Sequence, residues 1–249
     1  MRYVAFRCAA AALACWSAVA GAACDDPPAR DVIWIGCDKK GVDLQGKDLR
    51  GAIMTRSDFR GADLRGANLS DTDLNFANLQ GARLSDARMN NARLVRTNLT
   101  EANLNNVNLN GAILDRATLS GAQLAGAKLR GVAMYQSDLS KAKLVSADLQ
   151  DANLTQANLN GADLSHSDLS SATLDQASLE EAVLRGAKLQ QASLEKASLI
   201  SADLRDTDLT KATLVDAVIS DALLDGARLE KAQWIDRHRC RSGSIGECR

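Results

Sequence analysis

The 249-residue sequence carries almost no net charge, only two histidines and no glycine-rich phosphate loop. Its 30 basic and 31 acidic side chains nearly cancel, so no strong field directs it to nucleic acid or to an anionic membrane surface. Its glycines recur in units of five rather than in the spacing that cradles phosphates. Beyond the N-terminus no apolar run is long enough to cross a bilayer. The outward threonines are scattered, which excludes the regular threonine array of an ice- or surface-binding wall.

The N-terminal stretch MRYVAFRCAAAALACWSAVAGAAC places Arg2 and Arg7 ahead of an uncharged, alanine-rich run that ends in small residues. This three-part form is a secretory signal, and residues 1–23 are read as removed on export to the periplasm or beyond. Four cysteines then remain, Cys24 and Cys37 near one end and Cys240 and Cys248 near the other, an even number suited to an oxidising compartment. An alternative makes Cys24 the lipid-bearing first residue of a membrane-anchored periplasmic module. Against it stand Gly21, where such signals carry a larger aliphatic residue, and the odd number of cysteines it leaves.

From Leu44 to Trp234 every fifth residue is apolar, 39 positions without a slip, 33 of them leucine. Two residues before each stands a small residue, alanine in 29 cases, with Lys47 the one misfit. In extended chain, residues two apart face the same side, so the small residue and the leucine point inward together. An odd period cannot continue along a straight strand, and the chain must turn after each leucine. The second residue after it is Gly, Asn or Asp in 20 of 38 repeats, the types that tolerate positive φ.

Runs such as ADLRGANLS, ANLTQANLNGADLS and ADLRDTDL resemble the pentapeptide-repeat family over residues 42–234. The resemblance implies an all-β fold, a right-handed quadrilateral β-helix of four repeats per coil and about ten coils. At the ~4.8 Å strand spacing such a rod is about 45–50 Å long. Cysteines at opposite ends of it cannot pair, because a disulfide needs Cα atoms within about 7 Å. Cys24–Cys37 and Cys240–Cys248 are therefore expected to clamp two caps, residues 24–41 and 235–249. Trp34, with Ile33 and Ile35, is read as one plug and Trp234, with Ile235, as the other. The C-x7-C ending also resembles the C-terminal caps of exported bacterial members.

His166, in ADLSHSDLS beside Asp163, Ser165, Ser167 and Asp168, falls at an ordinary outward position on a wall that encloses no pocket. His238, between Arg237 and Arg239, has no carboxylate or thiol at a spacing typical of a metal site. No catalytic residue, cofactor or metal site is expected, and the chain is read as not an enzyme. Sorting outward residues by face, from every fourth repeat, gives one candidate interaction wall. It holds Ile53, Phe76, Val95, Ile113 and Tyr135 with Arg56, Arg93, Arg96 and Arg116, a mixture of aromatics and arginine favoured at protein interfaces. The neighbouring wall, with Asn78, Asn98, Thr118, Asn158, Ser178 and Ser198, is polar and nearly uncharged.

These observations favour an exported scaffold or interaction rod with a protein partner, no nucleic acid, no membrane span and a possible homodimer. The alternative is a DNA-mimicking protector of DNA gyrase, as some cytosolic members of the family are. The export signal, the near-neutral charge with Arg83, Arg88, Arg93 and Arg96 in one stretch, and the uninterrupted repeats depart from that pattern.

Overall fold

A computed structural model describes residues 24–249, and the signal-peptide reading of residues 1–23 lies outside the described residues. Each repeat contributes one bridging residue, and every parallel bridge joins residue i to residue i+20, from Ile33↔Ile53 through Thr213↔Gln233. Four repeats therefore close one coil, and the coils stack into a right-handed, four-sided tube. The first bridge falls ahead of residue 42. The register extends back through Trp34 and Lys39, which occupy leucine positions of the first coil without supplying the leucine that the period was read from.

Hydrogen bonding explains the motif. In the repeat centred on Leu94, the Leu94 amide donates to the Ile113 carbonyl at 2.7 Å and the Arg96 amide to the Asp115 carbonyl at 3.0 Å. The Thr97 amide closes the turn on the Leu94 carbonyl at 3.1 Å, and the Asn98 amide reaches back to the Ala77 carbonyl at 3.0 Å. Only the residue after the leucine lacks a backbone carbonyl. Asp or Asn before the leucine supplies one acceptor: Asn98 Oδ1 takes the Thr100 amide at 3.0 Å, and Asp73 Oδ1 takes the Asn75 amide at 3.0 Å. Where that position holds Arg93 or Ala133, an Asn or Asp one coil below substitutes, Asn75 for the Val95 amide at 2.8 Å and Asp115 for the Tyr135 amide at 3.0 Å.

Inside the tube the leucines and alanines are almost wholly buried. Serine and threonine replace alanine without leaving a polar atom unpaired, since the Thr72, Ser137 and Thr207 hydroxyls each donate to the carbonyl of the preceding leucine or methionine at 2.7 Å. Outside, Asp48, Asp58, Asp63 and Asp203 form ion pairs with the arginine two residues on, at 2.6–2.7 Å. The bond from Arg60 holds the Asp58 carboxyl down at about 2 against the opposing effect of desolvation. Exposed pairs of this kind add little net stability.

The two ends are closed differently. At the first coil Trp34 is buried against Phe59, with ring centroids 6.3 Å apart, and the Lys39 ammonium lies 4.2 Å from the Trp34 ring centroid. Ile33 and Ile35, read as part of the plug, are instead 47% and 53% exposed, because neighbours of an inward residue face outward. Lys47 is exposed at the same end. Cys24 is bonded to Cys37, which leaves its sulfur no valence for the thioether of a lipid anchor. At the other end the chain folds back antiparallel, Arg228↔Ile245 and Gln233↔Arg239, and is bonded through Cys240–Cys248. Trp234 and Ile235 are half-buried beneath this return.

A charge in this core has no water to reach. Leu144→Asp is expected to cost at least ~4 kcal/mol and to open the coils around it, read as loss of hydrogen-exchange protection near residue 144 before the ends. Reduction of both disulfides is expected to remove roughly 2–3 kcal/mol at each end. The caps should lose protection while the central coils keep theirs; uniform loss along the chain would contradict the clamped-cap account.

Candidate functional site

The corner residues, two after each leucine, take φ near +60°, where glycine is at no disadvantage and other residues are strained. On three of the four corners glycine, asparagine or aspartate fills half or more of these positions from residue 61 onward. The fourth corner is different. Gly36 opens it in the first coil, and from there on it is free of glycine, reading Arg56, Phe76, Arg96, Arg116, Gln136, Gln156, Gln176, Lys196 and Asp216 with φ between 54° and 60° throughout. Eight of these nine residues gain nothing from the left-handed conformation, and each pays about 1 kcal/mol to adopt it.

This corner bounds the wall picked out from the sequence. Arg56, Phe76, Arg96 and Arg116 stand on it in consecutive coils and are exposed. Val95 and Tyr135 lie one residue inward along the chain and are half-buried. Ile53, Arg93 and Ile113 occupy the bridging column of the same side, joined to it by Ile53↔Asp73, Asp73↔Arg93 and Arg93↔Ile113. The Arg56 guanidinium lies 5.8 Å from the centroid of the Phe76 ring, which is 49% exposed. Further along, Arg116 Nε donates to Gln136 Oε1 at 3.1 Å, Gln136 Nε2 to Gln156 Oε1 at 2.8 Å, and Gln156 Nε2 to Gln176 Oε1 at 3.1 Å. Among the described residues Arg93 reaches Asp73 only at 4.0 Å, and no ion pair engages Arg56, Arg96 or Arg116. The corner is thus a strip of unpaired cations and one aromatic ring, continued by a glutamine ladder.

A second cluster lies in the C-terminal cap, around His238. The fold-back brings Asp236, Cys240 and Cys248 to it: Nδ1 hydrogen-bonds Asp236 Oδ1, and Nε2 lies 3.0 Å from Cys248 Sγ. Desolvation pushes the Asp236 carboxyl up, but hydrogen bonds from the His238 ring and backbone outweigh it and hold the carboxyl low. His238 and Cys248 stand ten residues apart in the sequence and are brought together by the chain reversal of the cap. His166 is exposed at a corner, with φ 58°.

The strained corner was accessible from the sequence. Aligning the turn residues at a 20-residue interval displays its lack of glycine, whereas counting them at five mixes all four corners. Among the described residues, no helix is long and apolar enough to cross a membrane.

The family described as Pentapeptide repeats matches this chain in 8 copies, which fall within residues 40–131 and 137–216. Among solved structures, the chain is similar to HetL, a pentapeptide repeat protein involved in heterocyst differentiation regulation in the cyanobacterium Nostoc. The two are 29% identical over 89% of this chain and 97% of HetL, with a TM-score of 0.49. QnrB1, a plasmid-mediated fluoroquinolone resistance protein, is 20% identical over 81% of this chain and 91% of its own, with a TM-score of 0.51, a likeness of fold alone. A pentapeptide repeat protein of the Arabidopsis thaliana thylakoid lumen is 34% identical over 39% of this chain and 68% of its own, with a TM-score of 0.39. No curated protein matches the sequence significantly.

If strain is stored on the fourth corner, Arg96→Gly should raise stability by up to ~1 kcal/mol, a shift of about 2–4 °C in Tm for a chain of this size. Arg96→Ala keeps the left-handed backbone and should not gain. Equal midpoints for the two variants in thermal melts would show that the corner is not strained.

Proposed function

The chain belongs to the pentapeptide-repeat family, and we propose that it works as a non-enzymatic, exported rod that docks a protein partner along its glycine-free corner. The observation that carries this reading is the choice of side chains at that corner. Large cationic, aromatic and amide residues stand where glycine would be more stable, in coil after coil. Backbone strain of this kind persists where the side chain is needed for something other than stability.

The chemistry of the corner indicates the partner. Arg56, Arg96 and Arg116 are free to meet carboxylates, and Phe76 and Tyr135 offer flat apolar surface beside them. An acidic, extended segment of a protein fits a strip whose side chains repeat at the ~4.8 Å coil spacing. Export is supported by the N-terminal signal pattern and by two disulfides, which persist in oxidising compartments. The non-enzymatic reading is supported by the family, whose members are generally structural or interaction proteins.

Charge reversal tests the assignment. Arg96→Glu combined with Tyr135→Ala should leave the circular dichroism spectrum unchanged and lower recovery of a crosslinked partner at least about tenfold, or ~1.4 kcal/mol. Lys143→Glu, on the opposite wall, should recover it as the unaltered chain does. Equal recovery by all three proteins would remove this corner from consideration.

A further inference from the structure

We propose that the C-terminal cap holds a second, redox-controlled site, in which His238, Cys240 and Cys248 bind a zinc-like divalent ion once the Cys240–Cys248 disulfide is reduced. One ligand atom from each of the three residues lies within 4.8 Å of the other two. The Asp236 carboxylate can only accept a hydrogen bond, so His238 Nδ1 carries the proton and the Nε2 lone pair faces the sulfur of Cys248, 3.0 Å away. A carboxylate behind a histidine in this way is the arrangement that orients metal-ligating imidazoles.

The ligand set suits zinc. Two thiolates and an imidazole select a borderline-soft ion over magnesium or calcium, and three protein ligands leave the fourth tetrahedral position to water. Metal–sulfur bonds of about 2.3 Å and metal–nitrogen bonds of about 2.0–2.1 Å set the ligand atoms roughly 3.5–3.8 Å apart. His238 Nε2 and Cys248 Sγ are already within about half an ångström of that separation, and the two sulfurs reach it once they are no longer bonded.

Backbone hydrogen bonds as well as the disulfide tie the cap to the last coil. The Cys240 amide donates to the Ala232 carbonyl at 2.9 Å, the Leu229 amide to Ser244 at 2.9 Å, the Gly246 amide to Ala227 at 2.8 Å and the Arg241 amide to Arg249 at 2.7 Å. Cys240 is buried, whereas His238 is exposed and Cys248 half-buried, so the site opens to solvent on one side. Among the described residues the Cys24–Cys37 pair has no histidine or carboxylate placed in this way.

The chemistry balances with a dithiol as reductant. It gives two electrons and two protons to the disulfide, the S–S bond breaks, two thiols form, and the dithiol closes to its own disulfide. The ion then displaces both thiol protons to solvent. Reoxidation is the reverse exchange with a second disulfide, which accepts the two electrons from the thiolates, takes two protons from solvent and leaves as a dithiol, while the Cys240–Cys248 bond re-forms and the ion is expelled. The oxidised cap is therefore closed to metal and the reduced cap is open.

Cobalt(II), added to the full-length chain under a metal-free phosphine reductant, tests this. The reduced chain should develop thiolate-to-cobalt charge-transfer absorption and tetrahedral d–d bands at one ion per chain, bleached by zinc, while the oxidised chain remains colourless. His238→Ala and His238→Gln should each weaken binding at least about tenfold, and Asp236→Asn by about 10–100-fold. No charge-transfer band on the reduced chain, or an equal band and affinity in both His238 variants, would overturn the proposal.

Discussion

One backbone amide in five has no carbonyl within reach, and the repeat is organised around that deficit. A chain that turns after every fifth residue satisfies four amides through the coils above and below and through its own turn. The fifth needs a side-chain acceptor, and Asp or Asn ahead of the leucine provides it, as Asn98 does for Thr100. The leucine and alanine supply hydrophobic stabilisation, while the Asx residue makes the turn compatible with burial. In several repeats where the acceptor position holds another residue, the neighbouring coil assumes the task, as Asn75 does for Val95 and Asp115 for Tyr135. The outward face thereby gains freedom to carry arginine or alanine.

That freedom separates the two things a wall can do. Ion pairs such as Asp63–Arg65 and Asp203–Arg205 decorate the bridging columns and consume their own charge. The glycine-free corner leaves its arginines unpaired and accepts a conformational cost in every coil from Arg56 to Lys196. Glycine relieves this strain at Gly61, Gly81, Gly121 and Gly161 on the adjacent corner, although Glu101, Lys141, Glu181 and Ser201 accept it there too.

Fold and register were legible because they rest on a period, and a period survives the loss of individual residues. Leu44 to Trp234 announced the coil, and the small residue two places earlier announced which side was inside. The first coil was less legible, since Trp34 and Lys39 hold the register with side chains that no leucine count includes. Ile33 and Ile35 have the apolar character of plug residues but flank an inward Trp34, and the alternation of the backbone sends them outward regardless of hydrophobicity. The His238 cluster was illegible for a different reason. Its members meet through an antiparallel reversal onto Arg228 and Gln233, and no spacing along the chain encodes where a reversal lands.

The i to i+20 pairing makes length and function separable quantities. Inserting a single five-residue unit in the middle of the rod would preserve every leucine contact and every amide partner in kind, so the tube would still close. All corners beyond the insertion would nevertheless turn by a quarter of a revolution about the axis. The strip of Arg56, Phe76, Arg96 and Arg116 would then be severed from the glutamine ladder and continue on an adjacent side. Only additions of whole coils keep a binding strip continuous, so a lineage of such rods that retains one partner-facing edge can lengthen only in steps of twenty residues.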